Sequence, residues 1–181
     1  KYKSFPSLTM TFTKEVKSKN FSTTEKSKGK IWLKDQDKFR LDSDQEQIVS
    51  DGKIIWIYVK ENDQVTKNNR AKAKNIFDFN QTLADFKTNY KGQLLRNEKF
   101  FDLSCYVIEL TPKAGHEFIT KLFLWVEDKT SLIRKIEYYD INENKISLLF
   151  HQINPNAKIS DKKFIFKVPA GVELVDLTNS P

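Results

Sequence analysis

Few residues of this chain have the type and spacing for covalent or metal chemistry. His116 and His151 are the two histidines, and Cys105 is the single cysteine. Nucleophilic catalysis needs a base within hydrogen-bond reach of its nucleophile, and neither histidine lies beside a plausible nucleophile. Cys105 sits inside the apolar run 103–110, where a small buried thiol is expected. One cysteine permits neither an intrachain disulfide nor a cysteine-based zinc site. The five glycines are scattered, which leaves no Gly-rich phosphate loop. Aspartates and glutamates fall mainly in turns, where solvation explains them. No catalytic residue, metal or cofactor is therefore expected. The chemistry the composition does favour is apolar. The chain has 14 Phe, 3 Trp and 6 Tyr against a single Met. These side chains either fill a core or line a hollow.

The elements that position them are mostly strands. The chain is 181 residues long, 39% hydrophobic and 30% charged. That fits one soluble globular domain, residues 1–181, with a sizeable core. No apolar run is long enough for a membrane-spanning helix. The chain opens on Lys1 rather than Met, so a removed leader and trimmed ends both stay open. The formal net charge of +7 could attract nucleic acid, anionic lipid or an acidic protein face, or could simply reflect a lysine-rich solvated surface. The basic residues are spread rather than blocked, which argues against a nucleic-acid groove.

Leu8, Met10 and Phe12 alternate with Thr9, Thr11 and Thr13, a period of two that predicts a first strand. Residues 17–28 are polar and read as a hairpin tip or ragged strand ends. Residues 29–34, 38–42 and 47–58 then predict a run of strands, with Asp51-Gly52 expected to form a two-residue type I′ turn. Residues 54–58 are apolar on both faces, so something apolar must cover the second face. Residues 65–74 read as a loop or a poorly ordered edge. Ile76, Phe79, Leu83 and Phe86 repeat at three- and four-residue spacing, which predicts an amphipathic helix over 75–90 stopped at Gly92. Further strands are expected at 94–100, 103–111, 118–126, 133–139, 145–153 and 164–168, separated by turn residues. The pattern predicts one large antiparallel sheet, curled or barrel-like. A barrel of this many strands is too wide to be filled by its own side chains, and the helix could plug part of it.

The stretch Gly29-Lys30-Ile31-Trp32-Leu33-Lys34 with Lys38-Phe39-Arg40, the stretch 48–58, the Leu110-Thr111-Pro112-Lys113 landmark and the closing residues 164–176 together resemble the LolA family. These are periplasmic outer-membrane lipoprotein carriers. The resemblance implies a mainly β fold, an unclosed antiparallel β-barrel of about eleven strands with helices covering the concave side. It implies a non-enzymatic chaperone in the periplasm that binds lipoprotein acyl chains. The partners implied are an inner-membrane ABC transporter and an outer-membrane acceptor, with no nucleic acid, and the chain is expected to be a monomer.

Phe39 matches a concave-face position of the family, and Leu41 two residues on should point the same way. The acyl-chain cavity is assigned to Phe39, Leu41, Phe12, Met10, Trp32, Trp56 and Tyr58, and the lid to Ile76, Phe79, Leu83 and Phe86. Two departures stand out. Family members carry an Arg-Pro pair after the Trp-x-x motif, whose Arg latches the lid; Asp35 and Gln36 stand here. A helix also normally precedes the first strand, and only residues 1–7 do so here. Rival readings are a related barrel acting as an outer-membrane acceptor or envelope-stress sensor, and a binding module with no lipid cargo.

Overall fold

The computed structural model describes residues 5–20, 23–35, 37–73, 90–113 and 119–179. Its strands are β1 (Ser7–Lys17), β2 (Thr24–Lys34), β3 (Lys38–Ser43), β4 (Glu46–Ser50), β5 (Ile54–Val59), β6 (Gln64–Asn69), β7 (Tyr90–Phe100), β8 (Leu103–Pro112), β9 (Ile119–Glu127), β10 (Ile133–Asp140), β11 (Lys145–Pro155) and β12 (Glu173–Asp176). They hydrogen-bond in the order β12-β6-β5-β4-β3-β2-β1-β11-β10-β9-β8-β7. The expected mainly β fold is present, with twelve strands among the described residues where about eleven were expected. Among the described residues there is no α-helix, only single turns of 3₁₀ helix. The helix expected over 75–90 lies outside the described residues, apart from Tyr90, which begins β7 as a buried strand residue.

The chain groups into two compact units. In one, strands β7 to β10 and β11 as far as His151 form an antiparallel succession. Alternation decides its packing. Leu110, Leu122, Leu124, Ile136 and Leu148 share one face and are buried. The other face carries Cys105, Val107 and Trp125, with Phe100, Leu103 and Phe123 packed against them. The Trp125 indole donates to Glu98 and lies under the Lys135 ammonium, 4.0 Å from the ring centre. The thiol of Cys105 is buried as expected.

The second unit contains β3 to β6, β12, most of β2, the start of β1 and the chain from Gln152 onward. Several expectations are corrected here. The run read as a loop or poorly ordered edge over 65–74 contains most of β6, which pairs with β5 along its whole length and with β12 on its other side. Polar Thr66, Lys67, Asn68 and Asn69 hid this strand, because no apolar alternation marks it. The strand expected over 164–168 is instead the end of a 3₁₀ turn, Asp161–Phe164, followed by chain without ladder hydrogen bonds. The closing strand is β12, and it runs parallel to β6, so the sheet is not wholly antiparallel.

The Asp51-Gly52 turn is not the type I′ loop expected, because Gly52 alone among residues 51–53 has a positive φ, and the Asp51 N–H donates to the Ile54 carbonyl at 3.3 Å. Three residues, 51–53, lie between β4 and β5. The Asp51 carboxylate accepts from the backbone N–H of both Lys53 and Ile54, each at 2.8 Å, and this capping sets the loop length. Gly52 has φ of 103°, and a Cβ there would stand 3.1 Å from the Asp37 Cβ. Glycine meets both demands.

Candidate functional site

The ladder of the second unit fixes which side chains share a face. One cross-strand row runs Ile31, Leu41, Ile48, Ile57, and the next runs Leu33, Phe39, Ser50, Ile55. Both rows lie on the same side, because residues two apart along a strand do. Ile31, Leu33, Phe39, Ile48 and Ile55 are buried, Phe39 to 1% exposure, and Leu41 is half-buried. We call this the apolar face. Thr9 of β1 points to the other side, beside Lys30 and Trp32. Met10, its neighbour, therefore points to the apolar face and is buried. Phe12, two residues further along the same strand, is buried as well and belongs to the other compact unit.

The opposite row runs Trp32, Arg40, Val49, Trp56 and Lys67. This face is crossed by the chain after β11. Lys34 Nζ donates to the Ile159 carbonyl at 3.0 Å and to Asp161 at 3.1 Å. Lys38 Nζ also donates to Asp161, at 2.7 Å. Arg40 Nε bonds both oxygens of Asp42, at 2.7 and 2.9 Å, while its Nη1 donates to the Lys163 carbonyl at 3.2 Å. The Lys163 ammonium sits 4.0 Å over the Trp32 ring. Phe166 stacks on Trp56 with centroids 6.3 Å apart and planes 18° from parallel. Phe164 is buried. We call this the strapped face, and residues 157–168 the strap.

The second apolar face of residues 54–58 thus has its cover. Trp56 and Tyr58 share the strapped side, where Phe166 lies on Trp56, while Ile55 and Ile57 look the other way. Tyr58 donates to Asp63 at 3.3 Å, and desolvation, then the nearby Asp63 charge, raise the pKa of its phenol.

The seven side chains assigned to a cavity are therefore not all brought together. Phe39, Leu41 and Met10 share the apolar face. Trp32, Trp56 and Tyr58 stand on the strapped face, one residue out of phase with the first set. The four lid positions, Ile76, Phe79, Leu83 and Phe86, lie outside the described residues. Ile31, Leu33, Ile48 and Ile55 complete the apolar face and were not singled out from sequence. Counting in twos from Phe39 and across the β2–β3 turn would have found them.

The position of the family's latch is also built differently. Asp35 adopts φ of 55°, and its carboxylate accepts from Lys38. Hydrogen bonds from Lys38 and Lys34 hold the Asp161 carboxyl below its usual range, and the same contacts with Asp161, then Asp35, raise Lys38. Arg40 is committed to Asp42 and the strap. The turn is gripped from elsewhere: Arg70, just after β6, donates to the Asp37 carbonyl at 2.7 Å. No cluster of metal-ligating side chains occurs among the described residues.

The family model "Outer membrane lipoprotein carrier protein LolA" matches residues 3–167. The outer-membrane lipoprotein carrier protein of Legionella pneumophila (strain Paris) is 30% identical over 184 residues, covering 97% of this chain and 86% of that protein. The protein of the same name from Actinobacillus succinogenes is 27% identical over 168 residues, covering 91% and 77%. A crystal structure of an uncharacterised conserved protein from Thermus thermophilus shares the fold, with a TM-score of 0.63 at 9% identity over 97% of this chain and 93% of that one. Motif order, strand succession and family match agree: this chain belongs to the LolA family of outer membrane lipoprotein carrier proteins.

Proposed function

We propose that the chain is a periplasmic chaperone that takes the acyl chains of lipoproteins released from the inner membrane and delivers them to an outer-membrane acceptor. Residues 1–181 act as one carrier domain, without enzymatic chemistry. An ABC transporter supplies the cargo. The observation that carries this reading is the apolar face around Phe39, offered by a family member whose relatives are named as lipoprotein carriers.

The energetics explain why a carrier is needed. Each buried methylene is worth about 0.8 kcal/mol, so a sixteen-carbon chain in water costs roughly 12 kcal/mol. Such a chain does not cross an aqueous space alone. Phe39, Leu41, Ile31 and Ile48 offer contiguous apolar area on adjacent strands, as an extended acyl chain requires. Trp32 and Trp56 hold the strap and so support that face from behind. The helix read from sequence at Ile76, Phe79, Leu83 and Phe86 is proposed as the lid of the concave side. A lid that must be displaced weakens cargo binding, because the closed empty state competes with it. Release to the acceptor is thereby made easier.

A fluorescent fatty-acid titration of the purified chain, with mass spectrometry of extracted lipid, tests this reading. Saturable binding, displaced by a triacylated lipopeptide, is expected. No uptake of any acylated ligand would refute it and leave a binding module whose aromatics only fill a core.

A further inference from the structure

The strap carries more than the contacts that hold it. Phe164 and Phe166 point inward, one buried and the other against Trp56. Their neighbours point outward. Ile165 is 59% and Val168 40% exposed, and Lys158, Lys162 and Lys167 are exposed around them. Beside the strap, a groove of about 710 Å³ is lined by Thr9, Trp32, Ser160 and four lysines, Lys30, Lys158, Lys162 and Lys163. No carboxylate lines it. The acids beside it are shared with other cations: Asp161 pairs with Lys34 and Lys38, and Asp42 with Arg40 and, at 3.8 Å, with the groove's own Lys163. Four lysines against one shared carboxylate leave the groove positive.

The geometry points to a docking surface for an anionic lipid bilayer, formed by the groove lysines and the outward side chains of the strap. Three features favour a membrane over an acidic protein segment. The cations at the groove are all lysines, compact point charges on flexible stems, which suit a fluid array of phosphates better than fixed carboxylates. Exposed Ile165 and Val168 stand in a segment that also carries exposed Lys162 and Lys167, and apolar groups among cations are what an interface of headgroups and acyl chains accommodates. The groove is wide and open rather than a closed pocket for one small anion. The surface lies on the side of the sheet away from Phe39, so a docked chain keeps its apolar face free of the bilayer.

Vesicle co-sedimentation of the cargo-free full chain tests this independently of acyl binding. Phosphatidylcholine vesicles with roughly one third phosphatidylglycerol should bind the chain, and pure phosphatidylcholine should not. Raising salt from about 0.05 M to about 0.5 M should abolish binding, since the Debye length falls well below the spacing of the charges. The double variant Lys158→Glu/Lys162→Glu should partition at least about tenfold more weakly. Neither side chain anchors the strap, so the variant's melting temperature and acyl-probe affinity should match the native chain. Ile165→Ser should weaken binding about threefold. Equal binding to neutral vesicles, an unchanged double variant, or no binding to either vesicle would overturn the proposal. Capture by a poly-glutamate peptide without vesicle binding would overturn it in favour of an acidic protein partner.

Discussion

Replacing Leu41 by Glu separates a lipid-receiving face from ordinary core. Leu41 lies between Ile31 and Ile48 in its cross-strand row, and it is half-buried where both neighbours are buried. Full burial of a leucine side chain is worth about 1.5–3 kcal/mol, so its covered half contributes about 1 kcal/mol to folding. For a chain of this size that is a fall of about 2–4 °C in melting temperature. A folded variant is therefore expected. Its open half is what an acyl chain would cover. Two or three methylenes at about 0.8 kcal/mol each come to about 2 kcal/mol. Acyl-probe affinity should then drop about 30-fold, read by fluorescence titration at constant temperature. Trp32→Ala is the control. It removes a larger side chain from the strapped face, and should lower stability while leaving affinity within about twofold. Native affinity in Leu41→Glu, or an equal loss in both variants, would refute the assignment of faces.

Three more outcomes follow from the same geometry. Glu137 is 7% exposed and bonds Lys135, Lys145 and Ser147; burial pushes its pKa up, but the two lysines more than offset this and leave it lowered. Its stabilisation is therefore complete above the ordinary glutamate value of about 4.3 and is lost as pH falls through the lower folded value, so Glu137→Gln should flatten the melting-temperature profile below that point. Arg40→Ala removes the forked pair with Asp42 and the bond to the Lys163 carbonyl; it should cost about 2–4 kcal/mol and speed hydrogen exchange over residues 160–168 more than over β8 and β9. Gly52→Ala meets a positive φ and the Asp37 Cβ at once; a loss of about 1–3 kcal/mol by denaturant titration is expected.

How far the molecule was legible depended on whether local pattern or distant contact set each element. The early strands could be read because Met10, Phe12 and Phe39 alternate with polar neighbours. Strand β6 could not, since Gln64 to Asn69 lacks alternation and owes its conformation to pairing on both sides. The closing residues misled for the opposite reason. Phe164, Ile165 and Phe166 have strand composition, yet they form no ladder: Phe164 is buried, Phe166 lies on Trp56 and Ile165 is exposed. Phe39 and Leu41 were placed together by period alone. Trp32, Trp56 and Tyr58 could not be placed from chemistry, because an aromatic suits either face and only the register, off by one residue, decides.

The parallel pairing of β12 with β6 sets a timetable for the chain's synthesis. Gln64 reaches its partner Glu173 across 109 residues of sequence. Until β12 emerges, β6 presents an open row of amide and carbonyl groups, the kind of margin on which two nascent copies can stick together. Its own residues blunt that hazard, since Lys67 and the two asparagines that follow make a poor template. Contacts spanning so much sequence also form late. In a growing chain β6 therefore stays unpaired on that side until β12 is made, guarded meanwhile by the same polar character that hid this strand.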